Sequence, residues 1–357
     1  MLVIMRKDST PQQCQGVEEV IRRMGFAPLR VPGADRTAVC ITGNKGPVDS
    51  SFLSQMPGVL ECIPVTKPYK LVSREVHPQD TVLEVAGVQL GGQEVTLIAG
   101  PCSVETESRT LEVARRVKEG GAHMFRAGAF KPRTSPYSFQ GLGEEGLVTL
   151  RRVKEETGLP VVTEVIDTDS AEAVAQAVDV LQVGARNMQN FSLLKKLAEL
   201  KKPVLLKRGI AATLDEWLMA AEYLLAGGNH QVVLCERGVR TFNNHSRNTL
   251  DLNVVPLVRQ MSHLPVLVDP SHGVGARERV RPLARAALAA GAHGLLMEVH
   301  THPETSYSDA GQTIDVETFC GIVRDAELLK HLEPISESSP VLPKNFHWSG
   351  RAERGSF

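Results

Sequence analysis

The sequence has no long hydrophobic run and almost no net charge. No stretch approaches the ~20 consecutive apolar residues that a membrane-spanning helix needs, although hydrophobic residues make up 42% of the 357 positions. The formal net charge is −1, which gives no sign of a chain that binds nucleic acid or a charged membrane surface. We therefore expect neither nucleic acid nor membrane as a partner, and any electrostatic function must come from local clusters of charge.

The cysteines lack the CxxC spacing of local zinc sites and redox motifs. They are Cys14, Cys40, Cys62, Cys102, Cys235 and Cys320. We predict reduced thiols in a cytoplasmic protein, most of them buried as small apolar side chains, with Cys102 as the exception. The apolar start from Met1 to Met5 stops at Arg6, which is too short for a signal-peptide core and is typical of a first strand.

The N-terminal part of the chain shows strand and helix patterns in the order βαββαβ. The strand patterns cover 2–6, 27–31, 37–43 and 58–65, and the helical patterns cover 11–24 and about 49–56. This order predicts a small ferredoxin-like α+β domain over residues 1–66. A polar, proline-containing segment, Thr66 to Lys70, places the domain boundary near residues 66–75.

A repeated strand and helix pattern follows as far as residue 331. The strand patterns cover 95–101, 123–127, 161–165, 180–184, 204–207, 231–236, 266–269 and 294–299. Short apolar strands that alternate with amphipathic helices predict a parallel sheet, and eight such units fit a (β/α)8 TIM barrel over residues 75–333. A doubly wound open sheet is the alternative, but no GxGxxG motif follows an early strand. The polar residues 336–357 lack periodicity and predict a disordered tail.

Polar residues follow every predicted barrel strand, at the end where active sites lie in this fold. Seven of them are cations that would meet at one mouth: Arg126, Lys131, Arg133, Arg186, Lys207, Arg208 and Arg237. Each alone has an ordinary explanation as a solvated loop residue. Together they would repel one another unless anions lay between them, so the pattern predicts a substrate with at least two anionic groups, such as phosphates.

A second set of strand-end residues combines a thiolate, an imidazole and two carboxylates. Its members are Cys102, His272, Glu298 and Asp309. They follow the first, seventh and eighth strands of the predicted barrel, and in a closed barrel the eighth strand lies beside the first. The mixed set suits a divalent first-row metal, and manganese, iron, cobalt and zinc all fit it. His300 and His302 are competing candidates, and unrelated polar residues at a barrel rim are the ordinary alternative.

Eight short motifs occur in order along the predicted barrel. They are AGPCS at 99–103, RAGAFKPRTSPYSFQG at 126–141, GARNMQN at 184–190, LKRG at 206–209, CERG at 235–238, DPSHG at 269–273, MEVH at 297–300 and SDAGQ at 308–312. Each motif alone is weak. In this order and spacing, over about residues 1–333, they closely resemble the first type of 3-deoxy-D-arabino-heptulosonate 7-phosphate (DAHP) synthase, in the subgroup with an N-terminal ferredoxin-like domain.

The resemblance implies a metal-dependent transferase of the first step of the shikimate pathway. Such an enzyme condenses phosphoenolpyruvate with D-erythrose 4-phosphate and water to give DAHP and phosphate. The resemblance also implies a homotetramer and feedback control by an aromatic amino acid, tyrosine or phenylalanine, bound at the N-terminal domain. That domain contains no residue of the two strand-end sets, although it could instead serve only to stabilise the barrel or the oligomer.

The resemblance also implies a role for each site residue. Cys102, His272, Glu298 and Asp309 would hold the metal. Phosphoenolpyruvate would be bound by Arg126, Lys131, Arg186, Lys207, Arg237 and the backbone N–H of Ala185, and the phosphate of erythrose 4-phosphate by Arg133, Thr134 and Ser135. Lys131 would donate a proton to the new alkoxide, His272 would assist from its metal position, and Glu164 would support the phosphoenolpyruvate site and orient the attacking water.

Three other functions are alternatives to this one. The related 3-deoxy-manno-octulosonate 8-phosphate synthase uses a five-carbon sugar phosphate, and its loop after strand 2 typically carries Asn-Arg-Ser-Ser where this chain has Lys131 to Ser135. A non-catalytic phosphate-binding barrel would lack a metal ligand or Lys131, and none is missing. A fused chorismate mutase would need a largely helical N-terminus, whereas residues 1–65 are rich in strand patterns.

Overall fold

The computed structural model describes residues 1–32, 36–44, 48–63, 68–132, 135 and 137–329. Within these ranges, a small α+β unit precedes a closed barrel of eight parallel strands. The predicted (β/α)8 barrel with a small N-terminal domain is therefore confirmed. The predicted tail at 336–357 lies outside the described residues. Among the described helices, none combines the length and the apolar character needed to cross a membrane.

The N-terminal unit is an antiparallel sheet with one helix packed on it. Its strands are β1 Leu2–Met5, β2 Ala27–Pro32, β3 Thr37–Thr42 and β4 Val59–Ile63, in the order β2-β3-β1-β4, and its helix is α1 Pro11–Arg23. Helix α1 begins with a capping box, because Thr10 and Gln13 each accept the other's backbone N–H. It buries Cys14, Val17 and Ile21 against the sheet.

The second predicted helix of this unit is much shorter than the sequence pattern indicated. Only a three-residue 3-10 turn, Leu53–Gln55, forms in the expected stretch 49–56. The carboxylate of Asp49 accepts hydrogen bonds from the backbone N–H and the hydroxyl of Ser51, at 2.9 and 2.6 Å. Such local side-chain bonds compete with helix formation.

The eight barrel strands lie where the sequence predicts them. They are β7 Thr96–Gly100, β8 Met124–Arg126, β9 Val161–Val165, β10 Val180–Val183, β11 Val204–Lys207, β12 Val232–Glu236, β13 Val266–Val268 and β14 Gly294–Glu298. Each strand pairs with the next in parallel, and β14 pairs with β7 to close the barrel. Glu298 is thereby aligned with Gly100, two residues before Cys102.

The helices surround the barrel and connect its strands. They are α2 Glu107–Glu119, α3 Glu144–Thr157, α4 Ala171–Ala177, α5 Phe191–Leu200, α6 Leu214–Ala226, α7 Val254–Met261, α8 Pro270–Val274, α9 Arg277–Ala289 and α10 Val316–Leu329. Their apolar faces and the outward-facing strand residues form one large buried cluster. Trp217 on α6 is fully buried in it and donates its indole N–H to the carbonyl of Leu206.

A hairpin closes the N-terminal end of the barrel. Its strands are β5 Leu83–Val85 and β6 Val88–Leu90. Leu83, Val85 and Leu90 pack against inward-facing residues of all eight barrel strands. Thr96, the first residue of β7, donates its hydroxyl to the carbonyl of Gln89 at 2.6 Å. One end of the barrel is therefore filled with apolar side chains, which leaves the other end for chemistry.

The segment after residue 67 contacts both units. The Lys70 ammonium group donates to Asn44 Oδ1 at 2.7 Å and to the carbonyl of Ile41 in the N-terminal unit. The backbone N–H groups of Leu71 and Val72 donate to the two carboxylate oxygens of Glu222 on α6, at 2.9 and 3.0 Å. This part of the predicted domain boundary is therefore anchored on the N-terminal unit and on the barrel.

The apolar closure of the barrel gives a prediction for stability. Leu90 is 1% exposed and packs inside the barrel end, so Leu90→Ala would leave a cavity and lower the free energy of unfolding by about 2–5 kcal/mol. The control is Val82→Ala, since Val82 is 47% exposed, and we expect a change within about 0.5 kcal/mol. Urea denaturation measures both, and similar values for the two variants would contradict the role of the hairpin.

Candidate active site

Three of the four predicted metal ligands converge at the C-terminal end of the barrel. Cys102 follows β7, Glu298 ends β14 and Asp309 lies in the next loop, and one ligand atom from each lies within 4.8 Å of the others. Gly100 lets the end of β7 lie close to β8, because a Cβ there would lie 2.1 Å from the carbonyl oxygen of Arg126. A thiol and two carboxylates from separate elements therefore face a common point.

The fourth predicted ligand, His272, lies beside this group. It sits on α8, whose first turn is capped by the Asp269 carboxylate, and its Nε2 is 3.3 Å from Glu298 Oε1. Its Nδ1 is 2.7 Å from Asp269 Oδ2. Burial lowers the pKa of His272, although Asp269 and Glu298 oppose that shift. A neutral imidazole that donates Nδ1–H to Asp269 turns an unprotonated Nε2 toward Glu298.

The carboxylate of Glu298 is ionised at neutral pH. Burial alone would raise its pKa, but the charges of His272 and Arg126 outweigh burial and bring the pKa to about 2. Arg126 Nη1 donates to Oε1 at 3.1 Å, and Gln312 Nε2 donates to Oε2 at 2.5 Å. His272 Nε2 and this carboxylate lie 3.3 Å apart, and a metal cation bound between them would keep Nε2 unprotonated as a ligand.

The thiol of Cys102 is fully buried between an ammonium group and a carboxylate. Its Sγ lies 3.1 Å from Lys131 Nζ and 3.3 Å from Asp309 Oδ2. Burial and then the charge of Glu298 raise its pKa to about 12, against an opposing effect of Lys131. A bound divalent ion would favour the thiolate, because metal ligands must be deprotonated. The thiol and the two carboxylates therefore fit a divalent metal, and His272 lies beside them as the predicted nitrogen ligand.

Three of the seven predicted cations have buried carboxylate partners. Arg126 pairs with Glu298, and Lys207 Nζ lies 2.5 Å from Asp269 Oδ2. Arg208 pairs with Glu236 at 3.1 Å and with Asp251 at 3.0 Å. Arg208 follows the last residue of β11, Lys207, and its Nε also donates to the carbonyl of Ala212 at 3.0 Å. The placement of Arg208 among the cations at the mouth stays a prediction.

Arg237 and Arg186 carry positive charge that these ion pairs do not neutralise. Arg237 is 6% exposed, whereas Arg186 is exposed at the rim. Burial lowers the pKa of Arg237, against an opposing effect of Asp269, and the nearby charges of Arg247 and Arg186 lower it further. Like charges held this close indicate a site for an anion.

The glycine at position 184, where the loop after β10 starts, makes room for the side chain of Glu164. A Cβ at Gly184 would lie 2.0 Å from Glu164 Oε1, so only glycine leaves room for this carboxylate. Gln182 Nε2 donates to Glu164 Oε2 at 3.4 Å. Ala185 opens the 3-10 turn Ala185–Asn187. The predicted positions of Glu164 and Ala185 are therefore adjacent at the mouth.

The predicted sugar-phosphate loop is described only in part. Arg133 and Thr134 lie outside the described residues. Ser135 is exposed, and its hydroxyl accepts the backbone N–H of Tyr137 at 3.3 Å. Lys131, at the start of the same loop, is buried and points to Cys102. The assignment of Arg133, Thr134 and Ser135 to a phosphate stays a prediction.

The two competing histidines do not join the metal-ligand group within the described chain. His300 is buried, and its Nε2 lies 3.3 Å from Glu105 Oε2. Its Nδ1 accepts the backbone N–H of His302 at 2.8 Å. Glu105 also pairs with Arg109 at 2.9 Å. These residues stabilise the loop after β14.

Three site residues had no predicted role. Asp269 and Gln312 occur in the DPSHG and SDAGQ motifs, and both are buried beside a predicted ligand. Arg247 lies in the long loop after β12, where its Nη1 is 3.5 Å from Asp309 Oδ1. Nothing in the local sequence marks Arg247, because it does not follow a strand.

A closed parallel barrel that gathers thiol, imidazole and carboxylate donors beside surplus cations defines a barrel protein suited to a divalent metal and anionic ligands. The chain belongs to the DAHP synthetase I family, whose model matches residues 75–335. The model of the DAHP synthase ferredoxin-like domain matches residues 1–67.

Individual relatives agree with this family. The chain is 46% identical over 329 residues to the phospho-2-dehydro-3-deoxyheptonate aldolase of Thermotoga maritima, covering 92% of this chain and 97% of the relative. The crystal structure of the phospho-2-dehydro-3-deoxyheptonate aldolase (DAHP synthase) of Thermotoga maritima matches with a TM-score of 0.73 and 45% identity, over 92% of this chain and 96% of that chain. The 2-dehydro-3-deoxyphosphooctonate aldolase of Koribacter versatilis is 34% identical, covering 67% of this chain and 92% of the relative.

The double role of Asp269 gives a prediction. Asp269→Asn would leave the Lys207 ammonium buried without its counter-charge and would weaken the orientation of His272. We expect the free energy of unfolding to fall by about 3–5 kcal/mol. We also expect the affinity for Mn²⁺ to fall by about 10–100-fold, as for other residues that orient a metal-binding histidine.

Urea denaturation and the electron paramagnetic resonance of free Mn²⁺ measure the two effects. The control is Glu172→Gln, which removes the charge of an exposed carboxylate paired with Lys196 and should leave both quantities unchanged. An Asp269→Asn variant as stable as the wild type would contradict the ion pair.

Proposed function

We propose that this chain condenses phosphoenolpyruvate with D-erythrose 4-phosphate and water to give DAHP and phosphate. The observation that carries the proposal is the contact between two sets of side chains, the donors Cys102, Glu298 and Asp309 and the cations around them. One set suits a divalent metal and the other suits anions. Family membership supports the same reaction.

The side chains proposed for the metal are Cys102, His272, Glu298 and Asp309. A bound divalent ion would supply Lewis-acid polarisation of an aldehyde oxygen. Asp269 would hold the His272 ring so that Nε2 stays unprotonated and aimed at the group. Manganese, iron, cobalt and zinc all fit the donor set.

The proposed phosphoenolpyruvate site comprises Arg126, Lys131, Arg186, Lys207, Arg237 and the backbone N–H of Ala185. Two of the five cations in this set, Arg126 and Lys207, are already held by buried carboxylates, so their positions are fixed before substrate arrives. Such preorganisation supplies the orientation that a reaction between two substrates requires. Glu164 would support this site and orient the attacking water.

The proposed sugar-phosphate site comprises Arg133, Thr134 and Ser135, which follow Lys131 in the sequence. The aldehyde carbon would then face C3 of phosphoenolpyruvate, and a bond would form between these carbons. Lys131 would donate a proton to the new alkoxide. Water would add at C2, and phosphate would leave by cleavage of its C–O bond.

A five-carbon sugar phosphate is the alternative substrate. The relatives called 2-dehydro-3-deoxyphosphooctonate aldolase match about two thirds of this chain, whereas the relative called phospho-2-dehydro-3-deoxyheptonate aldolase matches 92% of it, including the N-terminal unit. The longer match and the Lys131 to Ser135 sequence favour the four-carbon substrate.

The reaction can be tested directly with the purified full-length chain. We expect phosphate release and DAHP from phosphoenolpyruvate with erythrose 4-phosphate in the presence of Mn²⁺. Arabinose 5-phosphate should react far more slowly. A chelator should abolish turnover, and added Mn²⁺ should restore it, because the buried Cys102 thiol needs a cation to become a ligand. Faster turnover of the five-carbon sugar would refute the substrate, and full activity without metal would refute the metal.

The N-terminal unit is proposed to bind an aromatic amino acid and to control access to the mouth. It contains none of the proposed catalytic residues, and Lys70, Leu71 and Val72 connect it to the barrel by polar contacts. An effector inhibits only if it binds one arrangement of the two units better than another. The homotetramer and the cytoplasmic location implied by the resemblance belong to the same proposal.

A truncated chain tests this control. A chain that begins near residue 70 should keep metal-dependent synthesis and lose inhibition by tyrosine or phenylalanine. In the full-length chain, we expect the amino acid to weaken substrate binding about 5–150-fold, the usual size of such a coupling. A truncated form of the Thermotoga maritima DAHP synthase has been solved as a structure. Initial rates of both chains with each amino acid give the answer, and thermal unfolding checks that the truncated chain is folded. Equal inhibition of both chains would place the effector on the barrel.

A further inference from the structure

Arg247 is fixed beside the helix that carries His272. Its backbone N–H donates to the carbonyl of Val274 at 3.3 Å. Its side-chain stem lies against Gly275, where an added Cβ would come within 2.6 Å of the Arg247 Cβ. Gly275 has a φ of +69° and ends α8. The end of α8 therefore leaves space that the arginine stem occupies.

The Arg247 guanidinium contacts the proposed metal ligands in two ways. Its Nη1 lies 3.5 Å from Asp309 Oδ1, which is an ion pair. The same Nη1 donates to Gln312 Oε1 at 2.8 Å. Gln312 is buried, and its Nε2 donates to Glu298 Oε2 at 2.5 Å. One ion pair and one buried amide therefore connect Arg247 to Asp309 and Glu298.

The same residue also lies beside the proposed anion site, because its neighbour Asn248 packs against Gly238, where an added Cβ would come within 2.9 Å of the Asn248 Cβ. The charge of Arg247 acts on Arg237, which lies at the mouth near Arg186. The Arg247 side chain is 42% exposed, and among the described residues its contacts are made through Nη1. A planar guanidinium with donors left over can grip a phosphate or carboxylate.

We propose that Arg247 couples the binding of the divalent metal to the binding of the anionic substrate. Without a metal, its charge is held by Asp309. A divalent ion bound by the Asp309 carboxylate competes with Arg247 for its negative charge, and the guanidinium is then available to the phosphate or carboxylate of phosphoenolpyruvate. This inference rests on the proposed function for the identity of the anion.

The coupling must act in both directions, because a change in anion affinity caused by metal requires the same change in metal affinity caused by the anion. A substrate anion that engages Arg247 releases Asp309 for the metal. Gln312 serves as a positioning residue in both states, since its amide holds the Glu298 carboxylate while its oxygen holds Arg247. The two ligands therefore favour one another through a residue of this chain, in addition to their direct attraction.

The test measures metal binding rather than turnover. The full-length chain is stripped of metal and titrated with Mn²⁺, with and without saturating phosphoenolpyruvate, and free Mn²⁺ is followed by electron paramagnetic resonance. The variants are Arg247→Met, which keeps the length of the stem, and Arg247→Lys, which keeps the charge. The control is Arg240→Met, an exposed arginine of the same loop. Thermal unfolding confirms that each variant is folded.

In the wild type and in Arg240→Met, phosphoenolpyruvate should tighten Mn²⁺ binding about fivefold or more. In Arg247→Met, Mn²⁺ alone should bind more tightly than in the wild type, because the competing cation is gone. The gain from phosphoenolpyruvate should fall to less than half, and Arg247→Lys should restore part of it. An unchanged affinity for Mn²⁺ alone, or an undiminished gain from phosphoenolpyruvate, overturns the proposal.

Product formation by the wild type separates this inference from the proposed function. An active wild type whose metal binding does not depend on Arg247 leaves the function intact and overturns the coupling. An inactive wild type in which Arg247 governs the response of Mn²⁺ to phosphoenolpyruvate refutes the reaction and supports the coupling.

Discussion

The mouth of the barrel is organised by the contact between two sets of opposite charge. Two of the proposed metal ligands, Glu298 and Asp309, are carboxylates, and each of the four ligands meets a cation or the partner of a cation. Glu298 contacts Arg126, Cys102 contacts Lys131, and Asp309 contacts Arg247. The fourth ligand, His272, is held by Asp269, which also holds Lys207. In the absence of bound metal and substrate, the carboxylates and the cations supply the counter-charge of one another.

This arrangement explains how so many charged side chains can be buried when no metal or substrate is bound. An isolated buried ion costs several kcal/mol, and a close partner of opposite sign offsets much of that cost. The contacts at Glu298 and Asp269 lie at 2.5–3.3 Å. The opposite end of the barrel contains leucine, valine and methionine side chains around the hairpin. Stability and chemistry are therefore separated along the barrel axis, as in other barrels of this kind.

Most of the fold could be predicted from the sequence, because the strands are short, apolar and regularly separated by amphipathic helices. The closure of the barrel then placed Cys102 next to Glu298, since β7 and β14 must pair. The carboxylate partners of Arg208 could not be predicted, because Glu236 and Asp251 lie 28 and 43 positions away in the sequence. The second helix of the N-terminal unit was overestimated because Asp49 and Ser51 bond locally.

Residues that act through other side chains are harder to predict. Gln312 belongs to the SDAGQ motif, but its role depends on its hydrogen bonds to Glu298 and to Arg247. The spacing of residues in the sequence does not predict these contacts. Arg247 is separated from Asp309 by 62 positions, and only the approach of the loop after β12 to the loop after β14 brings them together. Such residues are identified by their contacts with the side chains of the predicted metal ligands.

The loop that carries Asp309 shows why this outward support matters. Asp309 has a φ of +54°, a left-handed conformation that is uncommon for a residue with a side chain. Its carbonyl accepts the backbone N–H of Gln312 at 3.1 Å and the hydroxyl of Thr313 at 3.0 Å. A backbone strained in this way persists only where neighbouring contacts determine it. The turn therefore fixes the Asp309 carboxylate and the Gln312 amide as one unit. A shift of either side chain must then change the contacts of both Glu298 and Arg247.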